Sequence, residues 1–148
     1  ATVRGVGVSG VVAVAYADAD RACTIFPRLL VDIASRVGVS GVLLDTFDKK
    51  HGALRDLIAP QALSAWVATA HDAGLFVALA GKLTASDLPV VRDAGADIAG
   101  VRGAACEAGR TSRINADRVR LLSEACRGPI LRSSIAIPEV VIERGGRA

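Results

Sequence analysis

Aromatic side chains are scarce, with one tryptophan, one tyrosine and three phenylalanines in 148 residues. The formal net charge is only +3, and the basic residues are interspersed with acids. Neither a stacking platform nor a continuous basic face results, so no nucleic-acid partner is expected. The three cysteines, Cys23, Cys106 and Cys126, have no metal-like or redox spacing. An odd count without a disulfide framework points to free thiols in a reducing cytoplasm. His51 and His71 have no obvious partner for a metal site; His71 reads as a favourable cation at a helix end. Long hydrophobic runs are missing as well. The longest, 11–17, is far too short to cross a bilayer. No charged start with a cleavage site is visible, so a cytoplasmic protein with no membrane contact is expected. The chain opens at Ala1 rather than at a methionine, and an N-terminus shortened by processing or truncation is expected.

What is present is aliphatic and repetitive. Hydrophobic residues make up 51% of the chain and charged ones 22%, a composition for a globular core of strands covered by helices. Four apolar runs recur, at 10–16, 41–44, 75–80 and 97–101, each a strand by length and β-branched content. Helical patterns separate them. Residues 21–37 carry Ile25, Leu29, Ile33 and Val37 at a spacing of four, which predicts an inward helix face. Pro60 predicts a helix start, with Leu63, Trp66, Val67 and Ala70 as its apolar stripe. Thr84 or Ser86 is expected to cap a third helix, running to about Ala94. Asn115 is expected to cap a fourth, with Val119, Leu122 and Cys126 inward. Gly38, Gly74 and Gly95 follow the last turns of three helices, where a left-handed residue ends a helix.

The repeat is therefore β-α, four times over, and the crossovers must be parallel. Residues 1–128 read as one α/β unit and 129–148 as a tail or edge strand broken by Pro138. Four parallel strands alone leave two open edges. Two architectures fit: a closed (β/α)₈ barrel completed by further strands, or an open flavodoxin-like sheet.

In both, functional groups collect where strands end. Those positions hold Tyr16, Ala17 and Asp18, then Asp45 and Thr46 with Lys49 and Lys50 beyond, then Gly81-Lys82, then Arg102-Gly103. Asp45 closes the run GVLLD; a carboxylate there can orient a lysine or shuttle protons at a carbonyl, or simply cap a helix. Asp18 has the same two readings, because ADAD also suits a helix N-terminus. Lys49, four residues past Asp45, can act as acid, base or imine-forming amine if partly desolvated; a Lys-Lys pair is otherwise solvated surface. The glycines at 81, 100 and 103 let backbone amides approach an anion, with Lys82 or Arg102 supplying charge. The ligand expected from this set is a small phosphorylated molecule.

The ordered segments VAYADADR, GVLLDTFDKKHGALRDL, HDAGLFVALAG and DIAGVRGAAC resemble the (5-formylfuran-3-yl)methyl phosphate synthase family, the furan-forming enzymes of methanofuran biosynthesis. The resemblance runs from Val11 to about Arg127. It implies a TIM barrel in which these are the fifth to eighth strands, and a lyase without metal or organic cofactor. The reaction it implies condenses two glyceraldehyde 3-phosphates, by way of a Schiff base, into 4-(hydroxymethyl)-2-furancarboxaldehyde phosphate. Asp45 and Lys49 match the family's aspartate and lysine after the sixth strand, which work in proton transfer, and Asp18 is expected to assist them. Gly81, Gly100, Arg102 and Gly103 match its phosphate loops.

Two positions depart from the family's pattern: Lys82 stands where a small polar residue is usual, and Ala108-Gly109 replaces a glycine pair. The resemblance implies that the Schiff-base lysine lies in the first half of the barrel, outside the residues of this sequence. The partner expected is a phosphorylated aldehyde, together with either a second copy or the missing half-barrel. A catalytically incomplete half-barrel that binds phosphorylated ligands or a partner is the alternative reading, and a phosphosugar isomerase is another.

Overall fold

The computed structural model describes residues 10–127. The tail or edge strand expected over 129–148 lies outside them. Four strands, β1 (Val12–Tyr16), β2 (Gly41–Asp45), β3 (Phe76–Leu79) and β4 (Ile98–Ala99), form one sheet in that order, and every pair is parallel. The helices are α1 (Ala19–Ala22), α2 (Pro27–Val37), α3 (Leu54–Leu57), α4 (Pro60–Asp72), α5 (Leu88–Asp93) and α6 (Ala116–Cys126). Strand order follows chain order, so the reversal that marks a doubly wound sheet does not occur among the described strands.

Alternation sorts the sheet into two faces. Ala15, Val42, Leu44, Val77 and Leu79 are buried in one cluster with Leu30, Val31 and Ala34 of α2 and Leu63, Trp66, Val67 and Ala70 of α4. The opposite face is left partly bare: Val14 is 46% exposed and Ile98 45%. Among the described residues, β1 and β4 are the two edge strands.

The expected helix over 21–37 is broken, and its expected inward face points outward. Proline has no N–H, and the residue before it is driven into the extended region. Phe26 accordingly sits at φ −65°, ψ 148°, and Pro27 opens α2 at a position where no N–H is needed. Leu30, Val31 and Ala34 are then the buried residues of α2, whereas Ile25, Leu29, Ile33 and Val37 are all exposed. In α6 only Leu122 of the expected stripe is buried; Val119 and Cys126 are exposed.

The residue at the N-cap of α5 is Asp87, not Thr84 or Ser86, while several other expectations hold. Asn115 Oδ1 accepts the amides of Asp117 and Arg118, each at 3.0 Å. Gly38, Gly74 and Gly95 have φ of +69°, +74° and +87°. His71 lies in the last turn of α4, and its Nε2 is 2.9 Å from Asp97 Oδ2, tying that helix to the residue before β4. β4 is shorter than expected and covers only Ile98–Ala99.

Candidate active site

Register carries the strand ends into one rim. Tyr16 pairs with Asp45, and Leu79 with Leu44 on one side and Ala99 on the other. One residue further along, the Ala80 amide donates to Leu44 O at 2.8 Å and the Gly100 amide to Leu79 O at 2.7 Å. The loops that follow face a cavity of about 770 Å³. Asp45 and Lys49 line it from β2, Gly81, Lys82 and Thr84 from the β3 loop, and Gly100, Arg102 and Gly103 from the β4 loop. Seven of these positions were expected from sequence, and they come together.

Lys49 is folded onto its own loop. Its Nζ donates to Asp45 Oδ1 at 3.0 Å, to the Thr46 hydroxyl at 3.2 Å and to the Thr46 carbonyl. Asp45 Oδ1 also accepts the Thr46 amide at 2.7 Å. Both members of the ion pair remain partly open to solvent, so the pair itself contributes little stability, about 1 kcal/mol at most. It does hold an amine and a carboxylate side by side at the mouth of the cavity.

The third-strand loop needs its glycine. Gly81 has φ +113°, and a Cβ there would lie 2.7 Å from Thr46 Cγ2, whose residue is fully buried. The next residue, Lys82, is left-handed at φ +55° without being glycine. Such strain persists only where surroundings impose it. Asp87 anchors the loop two residues further on: buried at the start of α5, it accepts the Thr84 amide and hydroxyl, both at 2.7 Å, and Arg55 Nη1 at 2.6 Å. Burial would raise the Asp87 carboxyl, but the Thr84 bonds and the Arg55 guanidinium outweigh it and hold it below its ordinary value.

Asp18 is the expected residue that does not line the cavity. It lies behind the second-strand loop, where Oδ1 accepts the Phe47 amide at 2.7 Å and Oδ2 the Asp48 amide at 2.8 Å. Burial would raise its carboxyl too; the two amides more than reverse this and set it lower than usual.

Sequence reasoning missed Arg110. After β4 a 3₁₀ turn at Gly103–Ala105 opens an excursion, closed by the bridge between Cys106 and Ile114, and this returns Arg110 to the cavity wall. Irregular backbone gave no periodic signal for it. Among the described residues the side chains of Lys82, Arg102 and Arg110 make no ion pair or hydrogen bond, so three uncompensated cations stand around one cleft. Such a field concentrates small anions. Thr46 and Asp87 were also missed as supports, since their partners are brought in by folding.

Fold and cleft together define a parallel α/β protein whose strand-end loops line one cleft with glycine turns and cations, an amine-carboxylate pair among them. A family model described as 4-HFC-P synthase matches residues 3–123, and the chain belongs to that family. The (5-formylfuran-3-yl)methyl phosphate synthase of Methanopyrus kandleri is 44% identical over 117 residues, 78% of this chain and 49% of that protein. That of Methanocaldococcus jannaschii is 39% identical over 119 residues, 79% of this chain and 51% of that protein. The chain thus spans about half the length of the curated relatives it matches. Among solved structures, a 3-hexulose-6-phosphate synthase matches 78% of this chain and 62% of its own at 21% identity, with a TM-score of 0.35.

Proposed function

We propose that this chain supplies the fifth to eighth strands of a TIM (β/α)₈ barrel which, once the other four strands are added, condenses two glyceraldehyde 3-phosphates into 4-(hydroxymethyl)-2-furancarboxaldehyde phosphate in the cytoplasm. The observation that carries this reading is the Asp45–Lys49 pair at 3.0 Å, sharing one cavity with the glycine turns and the cations Lys82, Arg102 and Arg110. Supporting it, the four described strands are all parallel, lie in chain order with helices packed on one face, and number half of the eight that such a barrel needs. The partner is the other half-barrel, whose amine forms the Schiff base.

One molecule of inorganic phosphate and two of water leave as the two trioses join and the ring closes. Each loss needs a proton delivered to a departing oxygen and another taken from carbon or oxygen. Lys49 exchanges those protons, and Asp45 receives the ammonium and orients it. The backbone at Gly81, Gly100 and Gly103, with Lys82 and Arg102, holds the phosphate ester. Asp18 assists from behind the Lys49 loop. No cofactor is required.

The experiment supplies the complementary half and follows furan absorbance. Lys49→Ala should abolish product without loss of the fold, and near-normal turnover would reject the assignment. A second reading is a half-barrel that binds phosphorylated ligands without turnover; the bare sheet face at Val14 and Ile98 favours it whenever the other half is absent. Borohydride trapping with triose phosphate separates the two: a labelled lysine only after the other half is added supports the synthase.

A further inference from the structure

Asp18 stands at the start of α1, yet its side chain makes no capping bond to that helix. Only 8% exposed, it spends both oxygens on the amides of Phe47 and Asp48, 29 and 30 residues further along. Three other contacts join the same two segments. The Ala17 amide donates to Asp45 O at 2.8 Å, the Tyr16 ring meets Phe47 edge-on at 5.5 Å, and Arg21 Nη1 lies 3.5 Å from Asp48 Oδ2. From the opposite side, Gly81 closes against Thr46. Residues 46–48 are therefore gripped between the β1 and β3 loops, and Lys49 follows directly.

The acceptors that hold the Lys49 ammonium belong to Asp45 and Thr46. Asp45 is fixed in the sheet, while the backbone that carries Lys49 passes through Phe47 and Asp48. A shift of those two peptides moves the amine relative to the carboxylate beside it. We infer that Asp18 is a positioning residue: its two carboxylate oxygens clamp the Phe47 and Asp48 amides and so set where Lys49 stands in the cavity. The inference rests on the reading of Lys49 as the working amine. Both oxygens are occupied by amides, so Asp18 acts through the loop and not on substrate. A carboxylate is suited to this because each of its oxygens accepts; an asparagine offers one acceptor and turns an N–H₂ donor against the second amide.

The test uses the 148-residue chain and needs no substrate. In the wild type, the Phe47 and Asp48 amides should exchange with deuterium more slowly than that of Lys49, which has no backbone or side-chain acceptor among the described residues. In Asp18→Asn their exchange should accelerate about tenfold, the scale for losing a hydrogen bond to a charged acceptor. Acetylation of Lys49, read by peptide mass spectrometry, should rise several-fold, with Lys50 and Lys82 unchanged as internal controls. Asp18→Glu, which retains two acceptors, should restore part of the wild-type pattern.

Unchanged Lys49 reactivity alongside faster amide exchange would overturn the positioning role. If Asp18→Asn fails to fold, wild-type exchange still decides, because unprotected Phe47 and Asp48 amides reject the clamp outright. Neither readout involves product, so a completed barrel that yields no furan rejects the proposed reaction and leaves the clamp standing.

Discussion

Gly81→Ala isolates the contact that joins the second and third loops. Two effects add at this position. The backbone stands at φ +113°, where a Cβ is disfavoured by about 1–2 kcal/mol. The new Cβ would also sit 2.7 Å from Thr46 Cγ2, well inside ordinary van der Waals contact. Thr46 is fully buried and cannot swing away, so overpacking adds about 1–3 kcal/mol. The expected destabilisation is roughly 2–5 kcal/mol, against a total stability of about 5–15 for a domain. Gly38→Ala is the control, since its φ is +69° and nothing lies within 4 Å of the added carbon. Only the backbone part applies there, about 1 kcal/mol.

Urea unfolding followed by far-ultraviolet circular dichroism measures both variants. With a slope of about 2 kcal/mol per molar, Gly81→Ala should lower the midpoint by roughly 1–2.5 M and Gly38→Ala by about 0.5 M. Thr46→Ser removes the Cγ2 methyl and should return about 1 kcal/mol in the Gly81→Ala background. Equal midpoints for the two glycine variants would refute the claim that the loops are in forced contact.

Arg110→Ala should weaken binding of inorganic phosphate or glyceraldehyde 3-phosphate about tenfold by calorimetry, as loss of one charge-assisted contact would; undiminished binding would remove Arg110 from the site. Val31→Ala should cost about 1–3 kcal/mol in urea unfolding, and Ile33→Ser less than about 0.5, because the first is buried and the second is not. The reverse ranking would restore the inward face expected from spacing alone. The carboxyl of Asp87 is held below its ordinary value of 3.8, so its contribution is complete above that pH and is lost as pH falls through the lower folded value. Urea midpoints taken from pH 7 down to 3 should therefore fall less in Asp87→Asn than in the wild type; parallel curves would count against the Thr84 and Arg55 bonds.

Much of the rim was legible because it depends on local rules. Asp45 ends a run of apolar residues, Lys49 follows at four positions, and glycines recur after strands, so the positions could be read one segment at a time. The inward face of α2 could not. Ile25, Leu29, Ile33 and Val37 make as good a stripe as Leu30, Val31 and Ala34, and the difference lies in Pro27, which sets where the helix starts and hence how it is rotated against the sheet. Arg110 was hidden for another reason: it comes from irregular backbone, whose path is set by the bridge between Cys106 and Ile114.

The order of residues was enough to determine the β-α repeat, its glycine stops and the residues at each strand end, because periodicity and chain termination act over a few positions. Folding alone decided that the strands lie in chain order, that Asp18 reaches the Lys49 loop and that four cations share one cleft with one carboxylate. Those facts depend on parallel register and crossover, which join residues some thirty positions apart and leave no trace in any short window of sequence.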